Sequence, residues 1–127
     1  MQPRFHIVMF HPEIPHNTGA AGRLALATGS RLHLIKPLGF SLDEKHVRRT
    51  GLDYWAKVDL HVWDSLEELK QAAAPGAQFW YLSTKAPRSH WDAVFHAGDY
   101  LVFGPESRGL PESMLREHAD TALTIPM

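Results

Sequence analysis

The run Tyr100-Leu-Val-Phe-Gly-Pro-Glu-Ser-Arg-Gly-Leu-Pro111 sets an apolar strand directly against a stiff, glycine-containing turn. Such a strand suits the interior of a parallel α/β sheet, where ligands bind just outside the carboxyl ends of the strands. Gly104 has no Cβ, so its backbone is expected to stand open to close approach by a ligand. Pro105 fixes φ and stiffens the turn. Glu106 adds one acceptor where a substrate would meet it. An ordinary strand-turn-helix connection uses the same residue types, so the run alone assigns no function.

The rest of the chain repeats the theme. Phe5 to Phe10 is a continuous apolar run with β-branched residues, which reads as a buried parallel strand. His11-Pro-Glu-Ile-Pro-His16 breaks it, and Asn17 is a good N-cap for a helix over 18–28 that Gly29 stops. That helix is crowded with Gly19, Ala20, Ala21, Gly22, Ala25 and Ala27, while Leu24 and Leu26 add apolar surface. Strands follow at 31–36 and 57–63, the first ending in a turn at Pro37-Leu-Gly-Phe40. Between them 41–50 reads as a short basic helix ending at Gly51. Ser65 and Glu68 form a capping box for a helix to about Ala73. Further strands are expected at 78–83, 100–103 and 122–125. A loop fills 84–99, and a helix over 111–117 has Pro111 at its start. Strands alternating with helices predict one α/β domain over 1–127, with a largely parallel sheet flanked by helices.

Composition narrows the functional classes. The 127 residues suffice for one real core, and the formal net charge of -1 gives no global attraction to nucleic acid. There is no cysteine, hence no disulfide framework and no thiolate chemistry, which suits a cytoplasmic protein. No stretch reaches transmembrane length, so no membrane role is expected. The nine histidines lack metal-ligand spacing, and His6, His11 and His16 recur every five residues, matching neither a helix face nor a strand face. No metal is expected.

The usual nucleotide fingerprints, Gly-x-Gly-x-x-Gly and the Walker loop, are missing. In their place after the first strand stands Asn17-Thr-Gly-Ala-Ala-Gly-Arg23. With Asn17 as cap, Arg23 falls near the second turn, and its guanidinium would reach back to clamp a phosphate or ribose. A capped helix with a solvated arginine explains the same residues.

Taken together, Asn17-x-Gly19-x-x-x-Arg23 and Leu101-Val-Phe-Gly-Pro-Glu-Ser-x-Gly-Leu110 resemble the SPOUT class of RNA 2′-O-ribose methyltransferases. Glu13-Ile-Pro-x-Asn-Thr-Gly19, Arg31-Leu-His-Leu-Ile35, Pro37-x-Gly-Phe40, Arg48-Arg-x-Gly-Leu-Asp-Tyr54 and Ile125-Pro-Met127 are similar to the small tRNA methyltransferases that act on a wobble cytidine or uridine. This resemblance spans nearly the whole chain. It implies a trefoil-knotted α/β fold, a homodimer, S-adenosyl-L-methionine as methyl donor and the tRNA anticodon stem-loop as substrate. It places the donor against Leu82, Ser83 and Thr84, against Gly104, Pro105, Glu106 and Gly109, and against Ile125. It gives Arg23 the place beside the ribose hydroxyl, with Asn17 and Glu106 positioning substrate and loops.

A guanidinium holds its proton far above neutral pH, so using it as a literal base at pH 7 would be costly. Arg23 is therefore expected to remain cationic and stabilise the developing alkoxide. RNA phosphates need local positive charge, and Lys45, His46, Arg48 and Arg49 supply it on one short helix. A solvated charged face is the alternative reading of that cluster. Arg88 and Arg108 flank the expected pocket, and Trp91 is a candidate for stacking on a base. The chain reaches Met127 where the family's third motif begins. The resemblance therefore implies that a Ser/Asn-rich loop and helix are missing, with weak donor binding and impaired dimerisation. Two rival readings stand: a non-catalytic RNA-binding or assembly module on the same scaffold, and an α/β domain binding another nucleotide at the Gly104 loop.

Overall fold

The computed structural model describes residues 5–39, 57–83, 88–89 and 95–124. Their strands are β1 (His6–Phe10), β2 (Arg31–Ile35), β3 (Leu60–Trp63), β4 (Phe79–Ser83), β5 (Arg88–Ser89), β6 (Tyr100–Phe103) and β7 (Ala122–Thr124). Their helices are α1 (Pro15–Thr28), α2 (Leu66–Ala72) and α3 (Glu112–Glu117), with a 3-10 turn over Ala119–Thr121. The strands form one sheet in the order β3-β2-β1-β6-β4-β7-β5, and every pairing is parallel. The parallel α/β class read from the alternation of apolar runs is therefore the one observed. The basic helix over 41–50 and the knot implied beyond Thr124 lie outside the described residues.

Period-two geometry explains why β1 is apolar from Ile7 to Phe10. Ile7 and Met9 face one side, where they pack with Leu32, Leu34, Val58 and Ala25 of α1. Val8 and Phe10 face the other side, among Ile35, Tyr81, Val102, Leu110 and Leu115 and the α2 residues Leu66 and Leu69. A strand covered on both faces has no solvent side, so polar alternation is lost. Each fully buried aliphatic side chain here contributes about 1.5–3 kcal/mol. A third cluster, Trp80, Leu82 and Leu123, extends the α1 side of the sheet toward β7.

α1 begins earlier than its sequence suggests. Pro15 takes the first helical position and Ile14 is the N-cap, so Asn17 lies inside the first turn rather than capping it. Proline is preorganised for that position and needs no N–H there, so it outcompetes the capping preference of Asn17. The C-terminus follows expectation: Gly29 is left-handed at φ 68° and its N–H bonds to the Ala25 carbonyl. The small residues Gly19, Gly22 and Ala25 are buried against the sheet, whereas Leu24 and Leu26 are exposed. At α2, Ser65 Oγ accepts the Glu68 N–H at 3.1 Å, as the capping box predicts. Pro111 proves to be the N-cap of α3, with Glu112 its first helical residue.

A polar chain crosses the opposite face of the sheet diagonally, from Trp63 at the carboxyl end of β3 to His6 at the amino end of β1. Trp63 Nε1–H donates to His33 Nδ1 at 2.9 Å. His33 therefore carries its proton on Nε2, which donates to His6 Nδ1 at 2.8 Å. Tyr100 stacks on His6 at 3.9 Å between ring centroids. Burial, reinforced by neighbouring His6, pulls the His33 pKa down to about 3. Burial, followed by Arg31, pulls His6 down to about 4. Both rings are neutral in the folded protein at pH 7. The unfolded histidines protonate near 6.5, so below that pH the unfolded chain binds more protons. Stability is then lost by up to about 1.4 kcal/mol per pH unit for each histidine as pH falls from 6.5 toward 4. Denaturant midpoints measured from pH 7 to pH 4.5 should fall with that slope; a flat profile would refute the neutral buried pair.

Candidate active site

In a parallel sheet the ligand crevice opens at the carboxyl ends of strands, where neighbouring connections leave in opposite directions. Here the chain runs outward from β1 to β2 and β3, and then returns on the other side of β1 to build β4, β6 and β7. The switch point lies between β1 and β6.

Two loops meet there. After β1, His11 adopts a left-handed φ of 52°, uncommon for a residue with a Cβ. Its N–H is held by the Ile35 carbonyl at 3.1 Å, and the Pro12 carbonyl accepts the Gly39 N–H at 2.9 Å. A Cβ on Gly39 would come within 2.9 Å of Glu13 Cα, so the loop after β2 presses directly on the loop after β1. After β6, residues 104–110 fold back on themselves, with Gly109 N–H on the Pro105 carbonyl at 2.8 Å and Gly109 at φ +71°.

The loops are tied by two crossing carboxylates. Glu106 Oε2 accepts the Glu13 N–H at 2.8 Å, and Oε1 accepts the Ile14 N–H at 3.4 Å. In return Glu13 Oε1 accepts both the N–H and the hydroxyl of Ser107, at 2.8 and 2.7 Å. Bonds from the Ser107 N–H and then its hydroxyl hold the Glu13 carboxyl below the ordinary carboxylate range. Glu13 and Ile14 lie at the mouth of α1, where N–H groups have no intrahelical acceptor. Ile14 has no side-chain cap of its own. Glu106 supplies that cap from a loop more than ninety residues away, and a negative charge at a helix N-terminus is electrostatically favourable. Glu106 thus acts as a loop-positioning residue.

Gly104 is needed for a reason other than ligand approach. A Cβ there would lie 2.3 Å from Leu110 N and 2.4 Å from the Gly109 carbonyl carbon. The side of Gly104 where a Cβ would stand is filled by the loop's own backbone.

A cleft of about 270 Å³ opens beside this clamp, lined by His11, Pro105, Arg108, Leu110, Pro111 and Glu112 together with Gly109. Burial, then the Arg108 charge, lowers the His11 pKa, opposed by the imidazole's bond to the Lys36 backbone. The ring is therefore neutral at pH 7. On the other side of the β6 loop, Leu82 and Ser83 end β4 in register with Phe103 of β6 and Thr124 of β7. Both are nearly buried. The strand ends named for the methyl donor are thus adjacent. Leu82 and Ser83 do not line the cleft beside His11, and Thr84 and Ile125 lie outside the described residues.

Asn17 and Arg23 both sit on exposed parts of α1. Six residues of helix separate them by about 9 Å along the axis and about 120° around it, so they do not converge through the helix alone. Lys45, His46, Arg48, Arg49 and Trp91 lie outside the described residues, as does the side chain of Arg88. A larger groove of about 740 Å³ lies away from the switch point, against the amino end of β4, with Lys70, Tyr81, Arg116 and His118 among its lining. Among the described residues no group of three or more His, Asp or Glu could hold a metal ion. None of their helices is long and apolar enough to cross a membrane. Sequence reasoning missed His11, Glu13 and Ser107 as site residues. Only an acidic residue just ahead of a Pro-started helix hinted at the clamp, because its partners are distant in the chain.

Residues 4–127 match the family model described as the SpoU rRNA methylase family. The chain belongs to that family. A relative in Saccharophagus degradans, named tRNA (cytidine(34)-2′-O)-methyltransferase, is 51% identical over 97% of this chain and 80% of its own length. A solved structure described as giving insights into 2-OH methylation of C/U34 on tRNA superposes at a TM-score of 0.87, with 47% identity over 97% of this chain and 80% of that one. The SpoU methyltransferase AviRb from Streptomyces viridochromogenes, solved with AdoMet, superposes at 0.76 with 22% identity over 100% of this chain and 53% of its own. At that identity it speaks for the fold alone.

Two glycine substitutions separate the clamp's steric needs. Gly104→Ala should destabilise the protein at or above the top of the range of about 1–3 kcal/mol for overpacking, because backbone must move. Gly109→Ala meets open space and should cost only the left-handed penalty of about 1–2 kcal/mol. Chemical denaturation should return that order. The reverse order would show that the β6 loop is not packed as described.

Proposed function

We propose that this protein transfers the methyl group of S-adenosylmethionine to the ribose 2′-hydroxyl of cytidine or uridine 34 of tRNA. The observation that carries the proposal is the likeness over 97% of the chain to a relative named for that reaction. The site chemistry supports it. The donor supplies a methyl already activated by a sulfonium charge, so the protein must mainly align the reacting atoms and assist loss of one proton.

Leu82, Ser83 and Thr84, the loop residues Gly104, Pro105, Glu106 and Gly109, and Ile125 are the proposed donor-binding set. In this reading Arg23 orients the ribose or its phosphate and stabilises negative charge on the departing proton's oxygen, without itself losing a proton. Asn17 positions the substrate, and Glu106 holds the substrate loop through Glu13. Lys45, His46, Arg48 and Arg49 contact phosphates of the anticodon stem-loop. The exposed Ile14 and Leu24, at 44% and 57%, support a second copy of the chain as a cover for α1. The protein works in the cytoplasm, with its tRNA.

Calorimetry with S-adenosylhomocysteine should give one binding event per chain; no binding at millimolar ligand would sink the proposal. Arg23→Lys should keep that binding while lowering kcat by at least tenfold. Its pH-rate profile should keep the parent's shape, and a new limb at the lysine pKa would instead make residue 23 the base. Leu24→Glu should shift the sedimentation coefficient to that of a monomer without lowering the unfolding midpoint, and a persisting dimer would place the interface elsewhere.

A further inference from the structure

We propose that the cleft between the β1 and β6 loops is a nucleobase subsite that holds the target pyrimidine, with Glu112 reading its 4-substituent; this rests on the methyltransferase reading above. About 270 Å³ is below the 300–1,000 Å³ of sites that hold a whole drug-sized ligand. It suits one ring of a larger substrate. The cleft sits at the topological switch point and shares Pro105 and Gly109 with the proposed donor loop. A base seated there would therefore hold its own ribose close to that loop.

The lining has the parts that single-stranded RNA recognition uses: a ring for stacking and groups for the Watson–Crick edge. The His11 imidazole offers the ring. Its left-handed backbone is anchored by the Ile35 carbonyl, and its ring packs 3.7 Å from the Phe10 ring centroid. A non-glycine residue held at positive φ carries a conformational cost, and such residues concentrate at ligand sites. Pro105, Leu110 and Pro111 give apolar walls. Arg108 and Glu112 are the charged lining groups, one donor and one acceptor, and both are exposed.

Cytosine presents the N4 amino donor beside the N3 and O2 acceptors. A carboxylate accepts from N4, and a guanidinium donates to O2. Uracil keeps O2 but turns N3 into an N–H donor and replaces the amino group with the O4 acceptor, which a carboxylate repels. Arg108 therefore serves both pyrimidines, whereas Glu112 favours cytidine.

The test uses two anticodon stem-loops identical except for C34 or U34, with S-adenosylmethionine, and compares kcat/KM for parent, Glu112→Gln and Arg108→Gln proteins. An amide can donate to O4, so Glu112→Gln should lower the cytidine-to-uridine ratio about tenfold. Arg108→Gln should lower both rates at least fivefold and leave the ratio nearly unchanged. S-adenosylhomocysteine binding and thermal unfolding should match the parent in both variants. A cytidine-to-uridine ratio untouched by Glu112→Gln, in a parent that methylates RNA, overturns the base subsite while leaving the methyltransferase reading intact. Loss on both substrates in Arg108→Gln with a reduced salt dependence, and no change in Glu112→Gln, would make the cleft a phosphate site instead. A parent that binds no S-adenosylhomocysteine and methylates neither RNA overturns both readings.

Discussion

The site depends on the crossed carboxylates at the carboxyl ends of β1 and β6. Glu106 caps the mouth of α1 through the Glu13 and Ile14 N–H groups, and Glu13 captures the Ser107 N–H and hydroxyl in return. Each acid satisfies donors that its own loop cannot. The arrangement fixes three things at once: where α1 begins, how the β6 loop folds over Gly104, and how wide the cleft beside His11 stands. The β2 loop reinforces it, since Gly39 lies against Glu13 with no room for a side chain. Sites need reacting groups held within a fraction of an ångström, and loops gain that rigidity from such second contacts.

The strand-end loops and the buried face of the sheet are built from opposite materials. At the carboxyl end, polar groups meet near the surface and charge is used. On the face away from α1, the Trp63–His33–His6 chain buries imidazoles as neutral groups, each with its tautomer set by its neighbour. Burying polar atoms with partners in place costs little, whereas charging them there costs much. Two of the nine histidines are thus absorbed by packing, which explains part of an abundance that composition alone left open.

Much of the architecture was legible because it follows from local rules. The double-faced burial of β1 is written in the apolar run 7–10, the end of α1 in Gly29, and the start of α2 in Ser65 and Glu68. The error at Asn17 has a local cause as well, because proline at the first helical position outweighed a favoured cap. Gly104 was singled out for its missing Cβ, and the structure adds a neighbour that the sequence did not show. Its missing Cβ makes way for Gly109 and Leu110, a close approach created by the turn itself.

The sequence alone determined the strand and helix types, the parallel class and the family, because these rest on periodicity, turn chemistry and motif identity within short windows. Tertiary structure alone decided which residues share the site. Glu13 finds Ser107 and Glu106, and His6 finds His33 and Trp63, across separations that no window spans. Strand order brings β6 beside β1 and so creates the switch point. That order is set by burying both sheet faces at once, a condition on the whole chain rather than on any segment of it.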